Sequence, residues 1–195
     1  MKKILLLITC LLVISVNIIA QDNNISSHLI FKNIPIDGKL DEFVAKLENE
    51  GFSVNDKFDA AASLSGEFVN KQCTILVCAS PKTKIAYMVI VTLPEDNSWR
   101  SLKRDYFNFK EQYEKKYGKT NDSENYFSKP YYEGDGYELQ ALKNEKCSYR
   151  TRWNLKEGKV MVHISSDCKI PFVYMDNINR KIYDSECQSK VQDDI

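Results

Sequence analysis

The chain has 195 residues, 43% of them apolar and 28% charged, and its 27 basic residues balance its 27 acidic ones. Nothing in this balance suggests nucleic acid or an anionic membrane surface as a partner, since either would require a basic stripe. The length suits one domain that buries most of its apolar surface without needing disulfides.

The first predicted element is a secretory signal peptide over residues 1–20. Lys2 and Lys3 precede an apolar run from Ile4 to Ile19, and Ala20 is the small residue at the cleavage site. The run is shorter than the roughly 20 residues of a membrane-spanning helix. The sequence therefore predicts an exported protein, either periplasmic or secreted.

The remaining chain, residues 21–195, is predicted to form a single domain without a transmembrane segment, because no later stretch is apolar enough to span a bilayer. A lipid anchor at Cys10 is not expected. A lipidated cysteine needs a small residue before it, and Thr9 stands there after a short apolar run.

The first half of the domain begins with a short extended entry at residues 28–36 and a helix over residues 39–50. Leu40, Phe43, Val44 and Leu47 follow the i, i+3, i+4, i+7 spacing of one helix face, and Gly51 is placed to end the helix in a left-handed conformation. Strands follow at about 53–59, 62–70, 72–79 and 84–93. The last of these is apolar on both faces, which predicts a central strand covered on at least one side.

The second half begins with a helix over residues 98–117. An aromatic and apolar stripe recurs every three or four residues along it, at Trp99, Leu102, Tyr106, Phe109, Tyr113 and Tyr117. This helix is predicted to cover one face of the sheet, with Phe107 exposed off the stripe. Strands are expected near 124–128 and at 136–143 and 171–176, a hairpin at 146–168, and a short helix near 184–193 after an irregular segment.

The hairpin carries the most detailed prediction. A two-residue turn at Glu157-Gly158 would place Trp153 opposite Val162 and Cys147 opposite Cys168. The faces then separate into a mostly apolar side, which bears Trp153, and a mostly polar side. At the Cys147–Cys168 position the Cα atoms would be about 4.5 Å apart, so a disulfide is predicted, with two facing buried thiols as the alternative.

The other cysteines follow from strand geometry. Cys73 and Cys78 lie five residues apart in one strand and on opposite faces, so they cannot bond to each other. The odd number of cysteines after the signal peptide leaves at least one free thiol, expected at Cys187 or Cys78.

These elements add up to an α+β fold, an antiparallel sheet with two main helices packed on one face and a loosely repeated helix-then-strands layout. The stretches IPIDGKLDEFVAKLENEGF, SWRSLKRDYFNFKEQYEKKYGK and FVYMDNINRK together resemble a group of exported proteins from gut Bacteroidales that has no assigned function. The resemblance implies an envelope or secreted location and no activity. The layout is also similar to the β-lactamase inhibitor protein and to small periplasmic assembly-factor domains, from which no site residue transfers.

The sequence offers little catalytic chemistry. It has two histidines, and His163 is expected on the hairpin surface without the neighbours that a zinc site or a nucleophile relay needs. It has no glycine-rich phosphate loop, CxxC pair or calcium loop. Neither Asp41-Glu42 nor the Glu133/Asp135 pair is in a setting that would separate their pKa values for glycoside hydrolysis. No catalytic residue, metal or cofactor is therefore predicted.

The segment Tyr126 to Tyr137 interleaves five aromatic residues with proline, glycine and acids. Exposed aromatic rings on loops anchor sugars and protein partners. The preferred interpretation is instead that alternate rings of this segment complete the core where strands enter and leave. If the segment binds a ligand, the contacts are Tyr131, Tyr132 and Tyr137, with Glu133 and Asp135 as polar partners and Phe107 extending the patch.

The sequence leaves three functions open. The first is an exported, non-enzymatic binding module of the bacterial envelope with an unknown protein or glycan partner. The second is a carbohydrate- or small-ligand-binding domain that uses the aromatic residues of 126–137. The third is a hydrolase with an unfamiliar site.

Overall fold

The structure is a computed structural model that describes the backbone of residues 27–193 and the side chains of residues 27–189. The signal peptide predicted at residues 1–20 and Cys10 lie outside the described residues, so export of the protein stays a prediction.

Four helices and ten strands make up the described chain. The helices are α1 (Leu40–Asn49), α2 (Trp99–Tyr117), α3 (Glu138–Lys143) and α4 (Asn177–Asp193). The strands are β1 (Ile30–Phe31), β2 (Ile34–Pro35), β3 (Ser53–Phe58), β4 (Ala61–Phe68), β5 (Lys71–Ala79), β6 (Ala86–Thr92), β7 (Ser123–Phe127), β8 (Cys147–Asn154), β9 (Gly158–His163) and β10 (Pro171–Asp176). β1 and β2 form a small hairpin, and the other eight strands form one antiparallel sheet, which confirms the α+β class.

The sheet consists of two four-stranded halves that meet at its centre. Its strand order is β3-β4-β5-β6-β10-β9-β8-β7, so each half is a set of neighbouring strands and the β6–β10 pair joins them. α1 precedes the first set and contacts β3, β4 and β5, whereas α2 precedes the second and contacts β8 and β9. The predicted sequence of a helix and then several strands is thus present in both halves.

The two long predicted helices form where their apolar spacing places them. α1 buries the four apolar side chains of its predicted face, and Gly51 follows with a φ of +91°, in the left-handed region that glycine tolerates best. In α2 the Ser98 hydroxyl accepts a hydrogen bond from the backbone N–H of Ser101 at 3.3 Å and so caps the first turn. The Phe109 ring of α2 packs edge-on against Phe172 of β10, with the centroids 5.0 Å apart.

The predicted register of the β8–β9 hairpin is wrong by two residues. Thr151 pairs with Val162 and Trp153 with Val160, and the N–H of Leu155 donates to the carbonyl oxygen of Gly158 at 2.8 Å. The turn is therefore Lys156-Glu157 and not Glu157-Gly158. A two-residue shift leaves each side chain on its predicted face, so the apolar side with Trp153 is buried as expected.

Gly158 misled the prediction because its role lies in close packing rather than in the turn. A Cβ atom at Gly158 would lie 2.4 Å from the carbonyl oxygen of Met175 and 3.0 Å from the Leu29 side chain. Both neighbours are distant in sequence, so the hairpin alone contains no sign of this constraint.

The disulfide predicted between Cys147 and Cys168 is absent, and both residues are buried free thiols. With the corrected register Cys147 no longer faces Cys168, which lies in the turn after β9 with a φ of +58°. Cys73, Cys78 and Cys187 are also free, so the five cysteines in the described part of the chain are all thiols.

Two further elements differ from the predictions. The strand expected at 136–143 is the short helix α3, which buries Ala141 and Leu142. Ala141 and Leu142 are adjacent and both buried, and one face of a helix accommodates this, whereas a strand would turn them to opposite sides. The segment after Asn177 is helical from its start, because the buried Asp176 carboxylate accepts hydrogen bonds from the N–H groups of Ile178 and Asn179 at 3.0 and 2.8 Å.

Candidate functional site

The loop between β7 and α3 presents two tyrosine rings on a fixed backbone. Asp135 accepts hydrogen bonds from the N–H of Tyr132 at 3.0 Å and from the N–H of Tyr137 at 2.8 Å, one with each carboxylate oxygen. The side chains of Tyr132 and Tyr137 are 66% and 61% exposed. Tyr132 and Tyr137 therefore do not complete the core, whereas Phe127 and Tyr131 of the same segment pack against it, and Asp135 holds the loop rather than facing a ligand.

Tyr131 and Glu133 are used inside the protein. Tyr131 packs against the core, and its hydroxyl accepts a hydrogen bond from the Asn144 side chain at 2.9 Å. Glu133 pairs with Lys103 of α2 and accepts a hydrogen bond from the Tyr149 hydroxyl at 3.3 Å. Burial raises the pKa of Tyr149, and the Glu133 carboxylate raises it further, so the phenol stays a neutral donor.

Phe107 is exposed on α2, as predicted from its position off the stripe, with 39% of its surface accessible. Its ring lies 5.2 Å from the Tyr106 ring and 6.0 Å from the ammonium of Lys103. Because Lys103 also pairs with Glu133, the loop folds toward this part of α2. Of the six predicted ligand residues, Tyr132, Tyr137 and Phe107 present exposed rings, and the other three are engaged internally.

A second surface, which the sequence did not reveal, spans the middle of the sheet. Leu76, Ile90, Val173 and Met161 stand side by side on β5, β6, β10 and β9, in one cross-strand row of partly exposed side chains. The next row contains Cys78, Met88 and Met175, which are also partly exposed. We call these seven residues the methionine face, because it contains every methionine in the described part of the chain.

Charged and aromatic residues border the methionine face. On β8, Arg150 pairs with Glu124 at 2.5 Å and Arg152 pairs with Asp122 at 2.8 Å, so the charges at this border balance. At the opposite edge Phe58 continues the row of Cys78 through Ala61 and is 59% exposed. The available sequence signal for this surface was the two-residue period of a strand, which places each methionine of β6, β9 and β10 on the side opposite its immediate neighbours.

A depression at the β8–β9 end of the same sheet side forms a third candidate site. It has a volume of about 380 Å³, and we call it the β8–β9 corner; its lining includes Tyr126, Glu145, Ser148, Arg150, His163 and Ser165. Arg150 and His163 are directly opposed across the two strands. The Nε atom of Arg150 and the Nδ1 atom of His163 are both buried, and neither has a hydrogen-bond partner.

His163 is less exposed than the sequence suggested. Burial, together with repulsion from Arg150, lowers the pKa of His163 to about 4. The imidazole is therefore neutral at physiological pH, with one nitrogen able to donate a hydrogen bond and the other able to accept one.

Neither metal-binding nor membrane-spanning features stand out in the part of the chain that the structure describes. Residues 27–189 contain no group of three or more histidine, cysteine, aspartate and glutamate side chains arranged to hold a metal ion. No helix among the described residues combines the length and the apolar character needed to cross a membrane.

Comparison with known proteins gives no relative of this chain. No protein-family model, curated protein or solved structure matches it significantly. The resemblances to exported Bacteroidales proteins and to the β-lactamase inhibitor protein therefore stay predictions. The geometry of the two surfaces and of the corner is the remaining guide to function.

Proposed function

We propose that this protein is an exported, non-enzymatic module that binds a protein partner in the bacterial envelope through the methionine face. In this proposal α1 and α2 both cover the opposite side of the sheet. The cross-strand row of Leu64, Ile75, Val91, Phe172, Val162 and Thr151, which is fully buried, supports that arrangement. α4 reaches the methionine face at one end, where Arg180 Nη1 lies 3.5 Å from the Met175 sulfur.

The observation that carries the proposal is the apolar centre of a sheet side that remains partly exposed. The methionine face spans four neighbouring strands at about 4.8 Å spacing and is therefore roughly 14 Å across. It would form the apolar centre of an interface, and the flanking strands of the same sheet side would supply the rest of the ~800 Å² that each partner contributes to a standard protein interface. Methionine side chains are flexible and polarisable, and they adapt to the shape of a partner.

The charges around the face indicate the kind of partner. Arg150 and Arg152 are paired with carboxylates of this chain, so they offer little uncompensated charge to a ligand. Lys159, which is exposed beside Met175 in the second row, adds one positive charge to the face. A partner with a largely apolar contact surface and an acidic group opposite Lys159 fits this face better than a strongly charged one, because it would not have to break the two arginine pairs.

Photo-crosslinking of the full chain in its native bacterium tests the proposal. Benzoylphenylalanine at Val173 or at Met161 should give a discrete adduct with a partner protein, and a partner that is a second copy would give an adduct of twice the chain mass. Gln112, exposed on α2, is the matched control position and should give none. Absence of an adduct from both face positions, or an equal adduct from Gln112, would contradict the proposal.

A second candidate function is carbohydrate binding by the loop between β7 and α3. Its specific support is the pair of exposed rings at Tyr132 and Tyr137, held by the two hydrogen bonds to Asp135. A glycan that binds the parent protein should lose binding when both rings are changed to alanine. Phe58→Ala is the control, because it removes an exposed aromatic ring at the far edge of the sheet, and this variant should still bind the glycan. The hydrolase alternative has no comparable observation in its favour.

A further inference from the structure

We propose that Met175 is a site of reversible oxidation to the sulfoxide, and that Arg180 donates a hydrogen bond to the sulfoxide oxygen. The modification adds a link between β10, which carries Met175, and α4, which carries Arg180. It concerns one residue of the methionine face but does not depend on that face binding a protein. Three features support the proposal: the exposure of the thioether side chain, the donor beside its sulfur and the fixed position of that donor.

The Met175 side chain belongs to a surface that solvent reaches in the folded protein. Met175 is partly exposed, whereas its chain neighbours Tyr174 and Asp176 are buried. When hydrogen peroxide meets a thioether, the sulfur attacks one peroxide oxygen, the O–O bond breaks, and the products are a sulfoxide and water. A methionine sulfoxide reductase reverses the oxidation with two thiols, which become a disulfide while the sulfoxide oxygen leaves as water.

A hydrogen-bond donor already lies at the Met175 sulfur. The Nη1 atom of Arg180 is 3.5 Å from Met175 Sδ, and a thioether sulfur is a weak acceptor. Oxidation makes this apolar side chain polar and gives it an oxygen that accepts hydrogen bonds. Because the guanidinium is charged, the weak contact becomes a charge-assisted hydrogen bond, which is roughly twice as strong as a neutral one.

The guanidinium is held in position by other contacts within α4. Its Nε atom donates to the Asp184 carboxylate at 2.8 Å, and its central carbon lies 5.0 Å from the centre of the Tyr183 ring. The Arg180 side chain is therefore ordered before the sulfoxide forms, so little further conformational entropy is lost when it donates.

Met88 is the natural comparison for Met175. It lies directly opposite Met175 on β6, and both side chains are partly exposed. Among residues 27–189, Met175 is the methionine whose sulfur accepts a hydrogen bond, and Met88 makes no such contact. The response of the protein to oxidation should therefore depend on Arg180 at Met175 and not at Met88.

Two variants of the purified protein separate the two thioethers. Met88→Leu/Met161→Leu keeps Met175, and Met161→Leu/Met175→Leu keeps Met88, with leucine close to methionine in volume. Hydrogen peroxide should oxidise Met175 in the folded protein, as located by peptide mass spectrometry, and methionine sulfoxide reductases should restore it. Oxidation of Met175 should shift the Arg180 Nη–H signal in a ¹⁵N spectrum and leave the midpoint of urea unfolding unchanged or higher.

Arg180→Ala tests the donor in both variants. With Met175 present, it should make oxidation lower the folding equilibrium constant about fivefold, whereas with Met88 present the effect of oxidation should not depend on Arg180. Lys181→Ala, exposed at the next position of α4, is the matched control and should leave the response of Met175 unchanged. The proposal is overturned if Met175 reacts only in unfolded protein, if the Arg180 signal does not move, or if Arg180→Ala and Lys181→Ala respond alike.

Discussion

His163 shows how burial gives a single side chain a pH-dependent effect on stability. Its pKa is lowered to about 4 in the folded protein by burial and by Arg150, whereas an unfolded histidine titrates near 6.5. The folded state therefore binds a proton less readily than the unfolded state does. The stability that depends on the neutral ring is complete above about pH 6.5 and is lost as the pH falls toward about 4.

Replacing His163 by glutamine should remove this acid sensitivity. Between pH 7 and pH 5 the free energy of unfolding of the parent should fall by about 1–2 kcal/mol more than that of His163→Gln. Urea unfolding at the two pH values measures the difference. An imidazole that titrates near pH 6.5 in a spectrum of the folded protein would contradict this prediction.

Gly158 is a residue at which a single methyl group should be costly. Alanine there would press its Cβ against the Met175 carbonyl oxygen at 2.4 Å, an approach that needs the backbone of β9 or β10 to move. We expect Gly158→Ala to lower the free energy of unfolding by about 2–4 kcal/mol, as measured by urea unfolding. Gly134→Ala is the comparison, because it strains the backbone without a steric clash. The φ of Gly134 is +89° and nothing lies within 4 Å of the added atom, so this variant should cost only about 1 kcal/mol.

At the scale of elements, α4 is joined to the sheet by the turn between β5 and β6. The buried Glu186 carboxylate of α4 accepts hydrogen bonds from the Lys82 N–H at 2.6 Å and from the Thr83 hydroxyl at 2.6 Å. Burial by itself would raise the pKa of Glu186, but the hydrogen bonds from Thr83 and Lys82 outweigh it, and the pKa is lowered. The contribution of Glu186 to stability is therefore present above its usual pKa and is lost as the pH falls through the lowered value.

Glu186→Gln should destabilise the protein by about 1–3 kcal/mol at pH 7, because the neutral amide accepts these hydrogen bonds less strongly and brings an N–H₂ group into the site. The deficit relative to the parent should shrink as the pH falls through the lowered pKa of Glu186, where the parent carboxylate also becomes protonated. Thermal unfolding at several pH values measures it. Glu48→Gln, on the exposed surface of α1, is the control and should change stability by less than about 0.5 kcal/mol.

The whole molecule should unfold as one unit, because the two halves of the sheet share a continuous hydrophobic core. Both tryptophans, Trp99 and Trp153, belong to the second half, so tryptophan fluorescence reports on that half. Leu64→Ala removes a fully buried side chain from β4 in the first half. We expect it to lower stability by about 2–4 kcal/mol and to shift the fluorescence transition and the circular dichroism transition together.

Val162→Ala makes a comparable cavity in β9 of the second half and should shift both transitions in the same way. If Leu64→Ala instead left the fluorescence midpoint unchanged and shifted only the circular dichroism transition, the halves would unfold separately. The β6–β10 pairing would then be a weak junction rather than the centre of one cooperative sheet.

The sequence alone was sufficient for features that depend on neighbours along the chain. The apolar spacing of residues 39–50 and 98–117 predicted α1 and α2, since a helix brings side chains three and four positions apart onto one face. Alternation in 146–168 correctly assigned the buried and exposed sides of the hairpin, because that depends only on the two-residue period of a strand. The same local reasoning identified Phe107 as exposed.

The features that only the tertiary structure decided depend on groups far apart in sequence. Leu29 and Met175 leave no room for a side chain at Gly158. These neighbours are not visible in the hairpin sequence, so the glycine falsely suggested a turn. α3 forms where a strand was predicted and packs against β8, and α4 is fixed by hydrogen bonds to distant Lys82 and Thr83. The candidate sites follow the same rule. The methionine face and the unpaired atoms of Arg150 and His163 arise only when separate strands lie side by side, because exposure and hydrogen-bond satisfaction are properties of packed neighbours and not of residue order.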